Sequence, residues 1–176
     1  MRLHLYGSLE HFLEQVARRG SWVGGGSVAA LSAALAAALL EKLVVRPSAG
    51  RRPGAIRRQC LSLVPQDAER FAQVIQATRR KDRRRFVLAL KRATEVQCRV
   101  FRHAQAIEAA CRAAQRSVKP KFQSDLRCAM AMAMAASESA RALIHTNAAW
   151  LGDRAYSRRI RHVLQEAGRH GRASSR

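Results

Sequence analysis

Two carboxylates and one run of glycines are the residues best suited to do chemistry. Asp67 stands in Leu63-Val64-Pro65-Gln66-Asp67-Ala68-Glu69-Arg70-Phe71, three residues after Val64 and four before Phe71. On a helix that spacing puts it beside an apolar face. A carboxylate there is partly desolvated, which suits proton transfer. The plainer alternative is an acid in the first turn of a helix that starts after Pro65. The second candidate is Gly24-Gly25-Gly26-Ser27, directly before an alanine-rich run. Glycines at a helix N-terminus let a ligand reach free N–H groups, and the helix dipole favours anions there. The alternative is a tight connection between packed helices. The spacing is neither that of a Walker loop nor that of a dinucleotide fingerprint. Asp125, in Gln123-Ser124-Asp125-Leu126, is the third. It reads either as a first-turn acid behind an N-cap Ser124 or as an acid at a helix mouth facing a cleft.

Helices must position these groups. Ser8 suits an N-cap for a first amphipathic helix with Leu9, Phe12, Leu13 and Val16 on one face, ended by Gly20. Ser27 suits an N-cap for a second helix, Val28 to about Val44, whose many alanines bring its backbone close to its neighbours. Arg46 to Gly54 holds two prolines, two glycines and three arginines and is predicted to be a mobile surface loop. A helix from about Ala55 to Thr78 follows, with a possible restart at Pro65. The next spans about Arg84 to Gln115, with Phe86, Leu90, Ala93, Val100, Ile107 and Cys111 as core candidates. A fifth runs from Ser124 to Ala149. Its Ala129-Met130-Ala131-Met132-Ala133-Met134 stretch alternates like a strand, but both residue types favour helix. Arg154 to Ala167 forms a short basic sixth. The expected fold is therefore all-α, an antiparallel bundle of about six helices. Residues 1–168 make a single domain and 169–176 a frayed basic tail.

Composition narrows the function classes. The 176 residues are 48% hydrophobic but only 5% aromatic, which favours close helix packing. The longest apolar stretch, Val28 to Val45, is mostly alanine and contains Ser32, Glu41 and Lys42, so no membrane span is predicted. The N-terminus has no signal-peptide apolar core. A cytoplasmic protein is expected. Cys60, Cys98, Cys111 and Cys128 form no Cys-x-x-Cys pair, so reduced, packed thiols are expected and a metal site is not. The formal charge of +21 attracts polyanions nonspecifically, yet no nucleic-acid motif accompanies it.

Taken together, four segments resemble the cyclodeaminase/cyclohydrolase family. They are Phe12-Leu13-Glu14-Gln15-Val16-Ala17 with Gly24-Gly25-Gly26-Ser27-Val28-Ala29-Ala30-Leu31, then Asp67-Ala68-Glu69-Arg70-Phe71, then Ser124-Asp125-Leu126, and finally Leu151-Gly152-Asp153-Arg154-Ala155-Tyr156. The resemblance runs from about Leu9 to Leu164. It implies an all-helical homodimer with a folate site near the subunit interface. It implies no metal or redox cofactor, the tetrahydrofolate derivative being the substrate. The reaction implied is methenyltetrahydrofolate cyclohydrolysis or formiminotetrahydrofolate cyclodeamination. Asp67 matches the residue regarded as the family's proton acceptor. Gly24, Gly25, Gly26, Ser27, Ser124 and Asp125 match its substrate-binding segments. The family's Asn-Val-x-Ile-Asn-Leu segment reads here His145-Thr146-Asn147-Ala148-Ala149-Trp150, which makes His145 and Asn147 the candidates in that region. His145 and Ala149 stand in place of that segment's two asparagines, Val23 replaces the family's proline, and the segment around Arg46 to Gly54 is shortened. Those departures leave a rival, a non-catalytic helical dimer that binds folate, nucleic acid or an acidic protein. Arginines in Arg46 to Arg58 are expected, from charge alone, to attract a folate's anionic tail.

Overall fold

The computed structural model describes residues 9–44 and 52–173, with side chains to residue 166. Six α-helices follow one another: α1 Leu9–Ala17, α2 Gly25–Leu43, α3 Pro53–Arg79, α4 Arg83–Ala114, α5 Gln123–Leu151 and α6 Arg154–Ala173. A single 3-10 turn, Pro120–Phe122, precedes α5. The all-α expectation holds, and the described residues contain no strand. α2, α3, α4 and α5 form a four-helix bundle in which α2 and α4 each lie between α3 and α5, and α6 packs across α4 and α5.

The alanines explain why α2 is central. Ala30, Ala33, Ala36 and Ala37 are completely buried, and small side chains let three helices close around one. α2 is long and apolar enough to cross a membrane by length and composition, but half of that stretch is buried inside the bundle. Larger side chains fill the space around it. Leu40, Ile56, Leu63, Leu90, Ile107 and Ile144 are buried almost completely, each contributing on the order of 1.5–3 kcal/mol. Of the core candidates on α4, Leu90, Ala93, Val100, Ile107 and Cys111 are buried, whereas Phe86 is half-buried under the Arg83 guanidinium.

Several boundaries differ from expectation. α2 starts at Gly25 with Gly24 as its N-cap, so Ser27 lies inside the helix and does not cap it. Its hydroxyl is used across the bundle instead. α3 runs unbroken through Pro65. Proline removes one N–H and crowds the preceding turn, but packing against α2 and α4 holds the helix together. Pro53 and Gly54, expected in a loop, begin α3 behind the N-cap Arg52; the rest of that loop, 46–51, lies outside the described residues. Ser124 does not cap α5, because the helix already begins at Gln123. α6 continues to Ala173, past the expected end at Ala167, since no proline interrupts it. Phe12 is buried on α1, but Leu9 and Leu13 are exposed at 65% and 56%. Cys60, Cys98 and Cys111 are free and buried as expected, while Cys128 is free and exposed.

Candidate active site

The site starts with one buried acid. Asp67, in the middle of α3, is 9% exposed. Its place inside a continuous helix removes the reading of Asp67 as a first-turn acid. Two neighbours hold its carboxylate. Ser27 of α2 donates to Oδ2 at 2.9 Å, and Gln97 of α4 donates through Nε2 to Oδ1 at 2.6 Å. The Ser27 hydroxyl also lies 3.2 Å from the Val64 carbonyl oxygen, one turn before Asp67. Three helices therefore meet at one carboxylate.

Gly26 makes the meeting possible. A Cβ at that position would overlap the Asp67 carboxylate and the Gln97 amide nitrogen. This close approach is what a glycine provides and any larger residue forbids. Burial pushes the Asp67 carboxyl above the usual carboxylate range, and the hydrogen bonds from Ser27 and Gln97 pull the other way without cancelling it. A raised carboxyl in such a place is suited to take a proton and return it.

Asp67 opens into a cavity of about 150 Å³. Gly24, Gly25 and Gly26 form one wall, at the first turn of α2 where backbone N–H groups have no partner within the helix. Phe71 and Val74 of α3 and Leu90, Ala93 and Gln97 of α4 form the second. Leu143, Thr146, Asn147 and Trp150 of α5 close it, with Trp22 from the segment before α2. The lining is largely apolar, with few polar groups to fix an orientation, as in small-molecule sites generally.

Of the residues singled out in the sequence, Asp67, Gly24, Gly25, Gly26 and Asn147 line this cavity, and buried Ser27 braces Asp67. His145 is exposed and does not line it; Thr146, one residue on, does. Asp125 lies elsewhere. Its carboxylate pairs with Lys42 at 3.1 Å, near the opposite end of α2, and Ser124 is exposed beside it. The fifteen residues from Ser27 to Lys42 put about 22 Å between the two ends. Sequence reasoning missed Gln97. The signal was there: it interrupts the apolar spacing Leu90, Ala93, Gln97, Val100 on α4, and a polar residue in such a stripe needs a buried partner.

Among the described residues no group of three or more His, Cys, Asp or Glu is placed to hold a metal ion. The model of one family, formiminotransferase-cyclodeaminase, matches residues 8–166. The chain belongs to the formiminotransferase-cyclodeaminase family. The crystal structure of formiminotetrahydrofolate cyclodeaminase from Thermotoga maritima shares its fold, with a TM-score of 0.84 at 21% identity. That match covers 96% of this chain and 92% of the other. None of the curated protein sequences matches the chain significantly. Membership fits the helical architecture.

Proposed function

We propose that the chain is a one-carbon folate enzyme that works at a carbon–nitrogen bond of a cyclic amidine, with Asp67 as the proton-transfer group. Two reactions share this chemistry. In cyclodeamination, N10 of 5-formiminotetrahydrofolate attacks the formimino carbon and ammonia leaves, giving 5,10-methenyltetrahydrofolate. In cyclohydrolysis, water adds to the methenyl carbon and the ring opens to 10-formyltetrahydrofolate. Each passes through a tetrahedral carbon between N5 and N10. Each needs one group that removes a proton from the nucleophile and delivers it to the leaving nitrogen. The observation that carries the reading is Asp67 itself, a buried acid with its carboxyl raised by burial, held by two donors at the wall of an otherwise apolar cavity.

The cavity of one chain is small, below the roughly 300–1,000 Å³ of a pocket that encloses a drug-sized ligand. It suits the one-carbon fragment and part of the ring, and leaves the rest of a folate to be covered by a second subunit. The outer faces of α2 and α5 are apolar enough for that. Val28, Leu35 and Met134 are exposed at 37%, 47% and 52%, and Ala131, Ala135 and Ala142 of α5 are exposed among them. A two-fold axis across this face runs the helices of one subunit opposite to those of the other. That arrangement carries Asp125 of the partner subunit toward the cavity, where a carboxylate can accept the paired N–H groups of a pterin.

Of the arginines expected to attract the anionic tail, Arg46 and Arg51 lie outside the described residues, and a second set stands at the cavity end of the bundle. Arg57 pairs with Glu41 at 2.7 Å, at the Lys42 end of α2. At the cavity end, Arg79, Arg80, Lys81, Arg83, Arg84 and Arg85 are exposed around the α3–α4 turn. Arg83 donates to the Leu151 carbonyl at 3.3 Å, which ties this turn to the helix that carries Trp150 and Asn147. Clustered cations beside a cleft raise the local concentration of an anionic substrate.

The test is absorbance at the methenyl band of 5,10-methenyltetrahydrofolate, in mildly acidic buffer, together with release of ammonia from 5-formiminotetrahydrofolate. The wild-type protein accelerates one of these, and Asp67→Asn loses roughly 10²–10⁴-fold of that rate. No acceleration of either reaction would leave the non-catalytic relative as the better reading.

A further inference from the structure

The one buried polar side-chain atom without a hydrogen-bond partner, among the described residues, is Oε1 of Gln97. Gln97 is 2% exposed and lines the cavity. Its amide has two ends with different duties. Nε2 is committed to Asp67 Oδ1 at 2.6 Å, and this bond fixes which end faces the carboxylate. Oε1 is then left as an acceptor with nothing to accept from. Buried acceptors in native proteins are nearly always satisfied, by protein, by water or by a ligand. A water in the cavity can serve between ligands, but whatever displaces it must bring a donor or forfeit that bond.

We infer that Gln97 Oε1 receives an N–H of the exocyclic nitrogen on the substrate's one-carbon unit, so that this pocket is built for a leaving amine. This rests on the folate reading above and chooses within it. In cyclodeamination the formimino group ends in a protonated =NH2, which presents two donors. Oε1 accepts one while Asp67 works beside it. The N10 lone pair forms the new bond to carbon, and Asp67 takes the proton from N10. That proton passes to the exocyclic nitrogen, the carbon–nitrogen bond breaks with its pair on nitrogen, and ammonia leaves. A formyl group, which ends in oxygen, sets an acceptor against an acceptor at the same place. Gly26 belongs to the device, because a Cβ there would press on both Asp67 and the Gln97 amide.

The experiment compares 5-formiminotetrahydrofolate with 5-formyltetrahydrofolate, which differ in ending in N–H or in O. Binding is read by stopped-flow quenching of Trp22 and Trp150, both at the cavity, before turnover. The wild-type protein should prefer the formimino compound by about tenfold or more, the worth of one charge-assisted hydrogen bond. Gln97→Met keeps the volume, removes the acceptor, and should abolish the preference. Gln97→Glu keeps a carbonyl acceptor and, as the acid, a donor to Asp67, and should retain it. An unchanged preference in Gln97→Met, with wild-type helicity and urea midpoint, overturns the inference and leaves the folate reading standing. Failure of the wild-type protein to bind either folate sinks the folate reading instead. Formamidinium then decides the acceptor separately: it either shifts the ¹⁵N resonance of the Gln97 side chain, which supports the inference, or leaves it unmoved, which overturns it.

Discussion

Asp67 is placed where its charge costs stability and where, on the proposed function, its proton serves the reaction. Because burial raises its carboxyl, the folded protein holds this proton more tightly than the unfolded chain does. The stability it contributes is therefore full below the ordinary carboxylate value of about 3.9 and is lost as pH rises through the higher folded value. Asp67→Asn removes that dependence. The variant should melt at least as high as wild type at pH 7, with the difference shrinking as pH falls toward 4, while its activity collapses. The amide introduced by this substitution can keep its oxygen on Gln97 Nε2 and donate through its nitrogen to Ser27 Oγ, whose hydroxyl still has the Val64 carbonyl to donate to. A melting temperature well below wild type at pH 7 would mean that the charged carboxylate holds the bundle together. Gly26→Ala acts in the opposite sense. Alanine gains about 1 kcal/mol in helix propensity, but its Cβ overlaps Asp67 and Gln97. Overpacking of about 1–3 kcal/mol should win, lowering the urea midpoint and activity together. Spacing alone left Asp67 between two readings, and the family resemblance of Asp67-Ala68-Glu69-Arg70-Phe71 made it the candidate; of its two apolar neighbours Val64 is buried, whereas Phe71 is exposed. Ser27 was misread, since a serine ahead of a helical run looks like a cap. Only the contact with α3 shows that its hydroxyl points across the bundle.

At the scale of elements, the helices were legible because alanine, leucine and the spacing of apolar residues agree over long stretches. Their ends were not, because tertiary contacts set them. Gly25 and Gly26 are poor helix formers, yet they are helical because their lack of side chains lets α2 approach α3 and α4. Pro65 shows the same override. The sequence offers a helix restart there, and the structure keeps α3 whole. Its missing N–H leaves the Leu61 carbonyl without its usual i+4 donor. Ser27 bonds near this point, at the Val64 carbonyl. Pro65→Ala should restore the helical bond and raise the urea midpoint, by roughly 1–3 kcal/mol in stability. It should also slow turnover, because the restored bond shifts the turn that presents Val64 and Asp67 to Ser27. A variant that gains stability with unchanged activity would show that the proline has no part in setting the site.

For the whole molecule, the position of Asp125 tests how the site is assembled. Within one chain it pairs with Lys42, about 22 Å along α2 from Ser27, so it cannot share a ligand with the Asp67 of its own subunit. The exposed apolar residues Val28, Leu35 and Met134 lie on the outer faces of adjacent antiparallel helices between those two ends. In the proposed dimer, an isologous contact there brings the Asp125 end of each subunit to the cavity end of the other. Complementation is the consequence. Asp67→Asn and Asp125→Asn dimers are each damaged at both sites. In a mixed dimer one site carries both substitutions and the other carries neither. Random mixing makes half of the dimers mixed, so activity should recover to about a quarter of wild type in a symmetric two-site dimer. Sedimentation on the same samples should show dimers throughout. Mixing without recovery, with dimers present, would place Asp125 outside the site. A strict monomer at working concentration would remove the interfacial model altogether, and would leave the small Asp67 cavity as the entire binding surface for the one-carbon group.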